Sequence, residues 1–242
     1  MKVAVPGTQL TVSERGTGPP LILIHGGTGT GDFDWEPVRD RLSRRFRTIA
    51  ADMRGHGGSP APGWQLGIVR YGLDVQHVMR ALGIPRALMV GFSAGANSLL
   101  TLAMRRPGLI SGLVVIGASK SSAPERIEEI LSGPWPANLK AIEHTAAESG
   151  EHWKKLREAL ARDWVANNSF SDADIGRITS PTLVVHGTAD RTVPVEQATM
   201  LEGALPDAEI WLAEGARHMV QHDTPDAFAE KVEEFADRIG WV

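Results

Sequence analysis

The sequence pattern that most constrains this chain is a Gly-x-Ser-x-Gly motif centred on Ser93. The motif stands between an apolar run at 87–90 and a helix-compatible run at 94–105. A serine in this setting can occupy a sharp strand-to-helix turn that exposes its hydroxyl above a parallel sheet. Gly91 and Gly95 are the small neighbours that so tight a turn requires. Read alone, the motif is equally compatible with a chance match in which Ser93 is a helix N-cap.

Short apolar runs alternate with amphipathic runs along much of the chain. The apolar runs predict strands at 2–5, 9–14, 21–24, 46–51, 86–90, 113–116, 182–186 and 209–212. The amphipathic runs predict helices at 66–82, 94–106, 194–205 and 225–239, and one at 35–45 with Asp34 as its N-cap. Strand–helix alternation is typical of a parallel sheet covered by helices. The sequence therefore predicts an α/β fold with a mostly parallel, eight-stranded sheet and helices on both faces.

The alternation stops between residues 120 and 178, where no strand-like run occurs. Helices are predicted there at 125–131, 139–149 and 152–164, and three tryptophans fall within the segment: Trp135, Trp153 and Trp164. We predict a core formed by residues 1–119 and 179–242, with 120–178 as an inserted helical cap. The tryptophans could line a pocket below the cap or simply pack the cap onto the sheet.

A serine hydroxyl becomes a useful nucleophile when a histidine takes its proton and a carboxylate holds that histidine. Because ligands bind at the carboxyl ends of the strands in such sheets, we searched those ends for partners of Ser93. Asp190 follows the strand at 182–186, and His218 follows the last strand. Their order along the chain is the one expected after a serine turn of this kind. Alone, Asp190 could be a turn residue and His218 a surface histidine.

The same search predicts an oxyanion hole, which needs two backbone N–H donors. One is Ala94, directly after the serine, and the other is Gly27 in the glycine-rich loop after the strand at 21–24. Residues predicted to line the substrate pocket are His25, Trp35, Trp64, Phe92 and Trp135.

Composition limits the kinds of partner. The formal net charge is −4, without a long basic block, which argues against nucleic acid or an anionic membrane. The chain has no cysteine, so it has neither disulfides nor thiolate ligands. The glycine-rich loops match neither a dinucleotide nor a P-loop pattern, and we predict no metal and no cofactor. With no signal-like or membrane-length apolar run, we predict a cytoplasmic protein with a small-molecule partner. Its oligomeric state is left open.

Several motifs together resemble the α/β-hydrolase family over nearly the whole chain. They are His25-Gly26-Gly27, the segment 52–59, the serine motif, the segment around Asp190, and residues 215–218. The resemblance implies that 52–59 is a structural turn beside the pocket. Within the family, the short cap looks most like the valacyclovir-hydrolase (biphenyl-hydrolase-like) serine esterases. Those enzymes carry an aspartate after the nucleophile to pair with an amino group, whereas this chain has Ala94. A neutral or acidic ester, or a lactone, is therefore expected.

These observations predict a serine hydrolase of carboxylic esters that acts through an acyl-enzyme. A lactonase of the enol-lactone type, a carbon–carbon bond hydrolase and a cofactor-free perhydrolase would use the same three residues. A non-catalytic receptor for a small molecule on the same fold is the alternative from another class.

Overall fold

The computed structural model describes residues 1–121 and 152–242 in full and the backbone alone at 150 and 151. The strands are β1 Lys2–Val5, β2 Thr8–Arg15, β3 Pro20–Ile24, β4 Arg47–Ala51, β5 Ala87–Phe92, β6 Ile110–Ile116, β7 Thr182–Gly187 and β8 Ala208–Ala213. The α-helices are α1 Gly31–Leu42, α2 Ile68–Ala81, α3 Ala94–Arg105, α4 Gly150–Asn167, α5 Asp172–Ile175, α6 Glu196–Ala204, α7 Val220–Asp223 and α8 Pro225–Arg238. Short 3₁₀ turns lie at Pro62–Trp64 and Pro107–Leu109.

The strands form an eight-stranded sheet in the order β1-β2-β4-β3-β5-β6-β7-β8. β1 pairs with β2, and β2 with β4, in antiparallel fashion, while every pairing from β4 to β8 is parallel. β3, β5 and β6 lie inside the sheet and are buried along almost their whole length, which accounts for their unbroken apolar sequences. The predicted α/β-hydrolase fold, with a mostly parallel eight-stranded sheet, is confirmed.

Each face of the sheet buries its own hydrophobic cluster. One cluster includes Val75 of α2 and Leu99 of α3. The other includes Trp35 of α1 and Phe228 of α8. Helices therefore cover both faces, as predicted, and the carboxyl ends of the parallel strands are left to bear loops.

The first helix begins earlier than the sequence pattern predicts. α1 starts at Gly31, and its N-cap is Thr30, whose hydroxyl accepts a hydrogen bond from the backbone N–H of Phe33 at 3.1 Å. The prediction of Asp34 as the N-cap was therefore wrong. The first turn contains two acidic residues, Asp32 and Asp34. A search based on apolar periodicity therefore places the start of this helix too late.

α4 corresponds to the helix predicted at 152–164, and it extends further in both directions. Its Trp153 and Leu156 are buried in a small cluster with Phe33, Trp64 and Leu160. The other two helices predicted in this part of the chain, at 125–131 and 139–149, lie outside the described residues. Within the described part, no helix combines the length and the apolar character needed to cross a bilayer.

Candidate active site

Ser93 occupies the turn between β5 and α3 in a strained backbone conformation. Its φ and ψ are 51° and −117°, in a region that residues with a side chain seldom adopt. The backbone N–H of Ser93 donates a hydrogen bond to the carbonyl of Ile116 on the neighbouring strand at 2.8 Å, which ties the turn to the sheet. The residue stands at the N-cap position of α3, but its side chain makes no capping hydrogen bond. The alternative interpretation, that the hydroxyl of Ser93 serves as a cap, is therefore wrong.

The glycines on either side of Ser93 are required by close backbone approaches. A Cβ atom at Gly91 would lie 2.7 Å from the Cα of Ala96 in the first turn of α3. A Cβ atom at Gly95 would lie 2.5 Å from the carbonyl oxygen of Ile24. Real Cβ atoms do not come so close to backbone, so both positions exclude a larger residue. The spacing seen in the sequence is thus a steric consequence of the turn.

His218 lies between Ser93 and Asp190, and these are the three residues that the search of the strand ends selected. Its Nε2 is 3.1 Å from the hydroxyl oxygen of Ser93, and its Nδ1 is 2.6 Å from Oδ2 of Asp190. A carboxylate only accepts, so Nδ1 must carry the hydrogen of the neutral ring. Nε2 then presents its lone pair to the Ser93 hydroxyl, in the orientation needed to accept the hydroxyl proton.

Asp190 is held by several donors in the loop after β7. Its Oδ1 accepts hydrogen bonds from the backbone N–H groups of Thr192 at 2.7 Å and Val193 at 3.0 Å. Burial alone would raise the pKa of Asp190, but hydrogen bonds from His186 and His218 outweigh it and hold that pKa well below its usual range. The carboxyl is therefore ionised at any pH at which His218 could act as a base.

The glycine-rich loop after β3 lies beside the serine turn. A Cβ atom at Gly26 would be 3.5 Å from the Cβ of Ser93, and one at Gly27 would be 3.6 Å from the Cβ of Ala94. Within the described residues, no group accepts a hydrogen bond from the backbone N–H of Gly27 or of Ala94. These two donors, predicted from the sequence, are thus neighbours and uncommitted, as an oxyanion hole needs.

Two buried side chains hold Gly26, one through its carbonyl and the other through its N–H. The backbone N–H of Met53 donates to Nε2 of His25 at 2.8 Å, so Nδ1 of His25 carries the hydrogen and donates to the Gly26 carbonyl at 2.7 Å. The carboxylate of Asp34 accepts a hydrogen bond from the Gly26 N–H at 2.7 Å. Burial, together with the nearby His56, lowers the pKa of His25 well below its ordinary value. His25 therefore stays neutral and braces the loop.

Among the side chains predicted to line the pocket, Phe92 lies beside this site, whereas Trp64 packs against α4. The Phe92 ring is 4.9 Å from the His218 ring, between centroids, and it contacts Gly26. Trp64 is half-buried and lies 5.0 Å from the ring of His152 on α4. Leu160 of α4, which the sequence analysis did not select, would contact a Cβ atom at Gly27 at 3.6 Å.

The other pocket predictions have different outcomes. Trp35 is fully buried in the core between α1 and the sheet, so its assignment to the pocket was wrong. His25 is only 2% exposed and supports the loop from inside, so it is not a lining residue either. Trp135 lies outside the described residues. Both errors have one cause, since proximity in sequence to a site says nothing of which way a side chain points.

The segment at 52–59 has the structural role that the family resemblance implied. His56 places Nε2 2.9 Å from the carbonyl of Gly27 and Nδ1 3.0 Å from that of Arg54. Arg54 forms a buried ion pair with Asp74 of α2. The segment thus links the glycine-rich loop to the helix layer. No group of three or more histidine and carboxylate side chains in the described ranges could hold a metal ion.

Comparison with known proteins identifies the family. Residues 21–231 match the model of an alpha/beta hydrolase family, and the chain belongs to it. It is 27% identical to 2-(acetamidomethylene)succinate hydrolase of Mesorhizobium japonicum, over 98% of this chain and 94% of that one. It is also 27% identical to 2-hydroxy-6-oxo-2,4-heptadienoate hydrolase of Pseudomonas putida, over 96% and 94%. The crystal structure of an enol-lactonase from Burkholderia xenovorans superposes with a TM-score of 0.84 at 24% identity, over 98% of this chain and 100% of that one.

Proposed function

We propose that this hydrolase cleaves carboxylic esters by acyl transfer through Ser93. The observation that carries the proposal is the chain of contacts from the Ser93 hydroxyl through His218 to Asp190, at 3.1 and 2.6 Å. In this mechanism Ser93 attacks the ester carbonyl while Nε2 of His218 takes its proton. His218 then returns the proton to the leaving alcohol, and water releases the acyl group by the same steps.

Two hydrogen-bond donors are proposed to stabilise the negative charge that forms on the substrate oxygen. They are the backbone N–H groups of Gly27 and Ala94, which flank Ser93 and have no other acceptor among the described residues. Removing one such donor typically costs about 10²- to 10³-fold in kcat. Since the Gly27 donor is a main-chain group, its alignment depends on the side chains that fix the neighbouring Gly26, which are His25 and Asp34. The Ala94 donor lies in the first turn of α3.

The test is the hydrolysis of p-nitrophenyl butyrate by Ser93→Ala. We expect the variant to lose at least about 10³-fold in kcat, because the remaining donors and binding contacts alone supply little nucleophilic chemistry. Ser111→Ala is the matched control, since the buried Ser111 hydroxyl has no hydrogen-bond partner in the described part of the chain. A fluorophosphonate probe should label the wild-type protein and the control but leave Ser93→Ala unlabelled.

Comparable activity in Ser93→Ala and in the control would refute the proposal. A panel of esters, lactones and oxo-dienoates then ranks the substrate classes. The panel is broad because the relatives include a succinate-derivative hydrolase and a heptadienoate hydrolase. Tight retention of a small molecule without turnover would instead favour the alternative function, a non-catalytic receptor for a small molecule.

The pH dependence follows from the same assignment. His218 must be neutral to accept the proton of Ser93, so kcat/KM should rise with pH along a single acid limb and then reach a plateau. Asp190 adds no second limb, because the hydrogen bonds to its carboxylate keep its pKa far below the assay range. A profile measured with p-nitrophenyl butyrate from pH 5 to pH 8.5 checks this, and a flat profile would argue against His218 as the base.

A further inference from the structure

The carboxylate of Asp190 has a second histidine beside it. Nε2 of His186, near the carboxyl end of β7, is 3.3 Å from Oδ2 of Asp190, the oxygen that also faces His218. The same nitrogen is 2.9 Å from the carbonyl oxygen of Val193. The His186 and Asp190 side chains are both buried. We call the connected side chains of Ser93, His218 and Asp190 the relay. An imidazole outside this relay therefore faces the Asp190 charge that orients His218.

The partners of His186 identify the nitrogen that carries its hydrogen. Nε2 faces two acceptors, Val193 O and Asp190 Oδ2, so the hydrogen lies on Nε2. Nδ1 is buried and has no partner within the described residues. A phenylalanine would fill much the same space without leaving a buried nitrogen unpaired, so what the histidine adds at this position is the Nε2–H group.

We propose that His186 is a positioning residue that limits how strongly Asp190 stabilises the protonated form of His218. This inference rests on the proposed function. Four N–H groups face the Asp190 carboxylate: those of Thr192, Val193, His186 and His218. A carboxylate that shares its charge among more donors attracts any one cation less. The Nε2–H of His186 therefore favours the neutral, proton-accepting form of His218.

Two arginines are the sequence neighbours of Asp190 and His218, and both have exposed side chains. Arg217 precedes His218 in sequence, but its side chain is 78% exposed and is paired with Asp223 at 2.6 Å. Arg191 follows Asp190 and is exposed. The contacts described for the His218 ring on its other sides are with uncharged groups, the Phe92 ring and the backbone of Gly117. Among the described residues, His186 and His218 are the two imidazoles that face the Asp190 carboxylate.

The experiment compares pH profiles of kcat/KM for wild type, His186→Phe, His186→Leu and His186→Gln with p-nitrophenyl butyrate. The phenylalanine and leucine variants lose the N–H, so the acid limb should move to higher pH by about half a unit to one unit. Glutamine can present an N–H at a similar reach, and its limb should stay within about 0.2 units of wild type. Thermal unfolding shows that each variant is folded at the assay temperature.

A purely structural role would lower the melting temperature or kcat and leave the acid limb in place. The proposal is overturned if the limb is unmoved in the folded phenylalanine and leucine variants, if it moves to lower pH, or if glutamine moves it as far as phenylalanine does. Failure of the proposed function looks different, since Ser93→Ala would then retain activity, whatever the His186 variants do.

Discussion

The strained backbone of Ser93 determines where its hydroxyl points. Its positive φ is tolerated because the backbone on both sides is fixed, by a hydrogen bond to Ile116 and by the first turn of α3. Such a conformation costs on the order of 1–3 kcal/mol. In return the hydroxyl faces His218 without blocking the N–H of Ala94. Substitution of a neighbouring glycine tests this account, because an added Cβ atom would meet backbone atoms.

Gly95→Ala should impair both folding and catalysis. The new Cβ would meet the carbonyl oxygens of Ile24 and His25, which are backbone atoms at the root of the glycine-rich loop. We expect a loss of about 1–3 kcal/mol in the free energy of unfolding and a fall in kcat of about 10²-fold as the loop moves. Urea denaturation and ester hydrolysis measure the two effects.

Gly203→Ala is the matched control for that substitution. Gly203 lies inside α6, and a Cβ atom there would meet nothing within 4 Å. Alanine at this position should stabilise the protein by up to about 1 kcal/mol and leave kcat unchanged. Equal effects from the two substitutions would contradict the steric account of the serine turn.

At the scale of elements, sequence reasoning missed the contact between α1 and the glycine-rich loop. Asp34 is 1% exposed, and its carboxylate accepts the Gly26 N–H from within the first turn of α1. Burial raises the pKa of Asp34 to about 7, although the Gly26 hydrogen bond opposes the shift. An aspartate ahead of an apolar helical run usually indicates a cap, so no local pattern could have revealed this tertiary role.

Asp34→Asn should remove a pH-dependent part of the stability. Because the pKa of Asp34 is higher in the folded than in the unfolded chain, the folded state binds more protons between about pH 4 and pH 7. The contribution of this group to stability is present at low pH and is lost as pH rises through about 7, by at most about 4 kcal/mol. Asparagine retains an acceptor for Gly26 but does not titrate.

Denaturant unfolding of wild type and Asp34→Asn at pH 4.5 and pH 7.5 measures this difference. The stability advantage of wild type over the variant should shrink as pH rises. Asp40→Asn is the control, because that side chain is 84% exposed. A wild-type advantage that stays constant or grows with pH would show that Asp34 is ionised throughout in the folded protein.

At the scale of the whole molecule, we propose that residues 120–178 form a cap inserted into the core. In the described part of that segment, α4 packs on the core through Trp153 and Leu156. A buried amide network fastens its carboxyl end. Asn168 Nδ2 donates to the hydroxyl of Ser119 at 2.8 Å, and Asn97 of α3 donates to the Asn168 side chain and to the Ser119 carbonyl. The network joins three separate stretches of chain.

Asn168→Ala should loosen this connection. The substitution leaves buried groups of Asn97 and Ser119 unpaired, at a cost of about 2 kcal/mol, which lowers the melting temperature by about 4–8 °C in a protein of this size. KM for p-nitrophenyl butyrate should rise more than kcat falls, because α4 contributes Leu160 beside Gly27 and not a reacting group. Asn167→Ala removes an exposed hydrogen bond to Asp163 at 2.7 Å, so it should lower the melting temperature much less and leave KM unchanged.

The sequence alone predicted the sheet and its mostly parallel pairing, because these depend on local periodicity. The rule that sites form at strand ends also selected Ser93, Asp190 and His218, which lie in contact in the structure. Sequence reasoning failed where the answer depends on orientation. Trp35 and His25 are adjacent to the site in sequence, yet α1 and the loop turn both side chains inward. The sequence does not reveal a role for His186, because its contact with Asp190 exists only after the loop after β7 has folded.

The division of the relay among the strands has a practical consequence. Ser93 follows β5, whereas Asp190 and His218 follow β7 and β8, and the two groups meet where Nε2 of His218 lies 3.1 Å from the Ser93 hydroxyl. A cut within 120–178 would therefore yield one fragment with the nucleophile and another with its base and acid. On the proposed mechanism neither fragment would hydrolyse an ester alone, so recovered turnover on mixing would report that the fragments had reassembled. The chain is in this sense a natural starting point for a split-enzyme reporter of protein association.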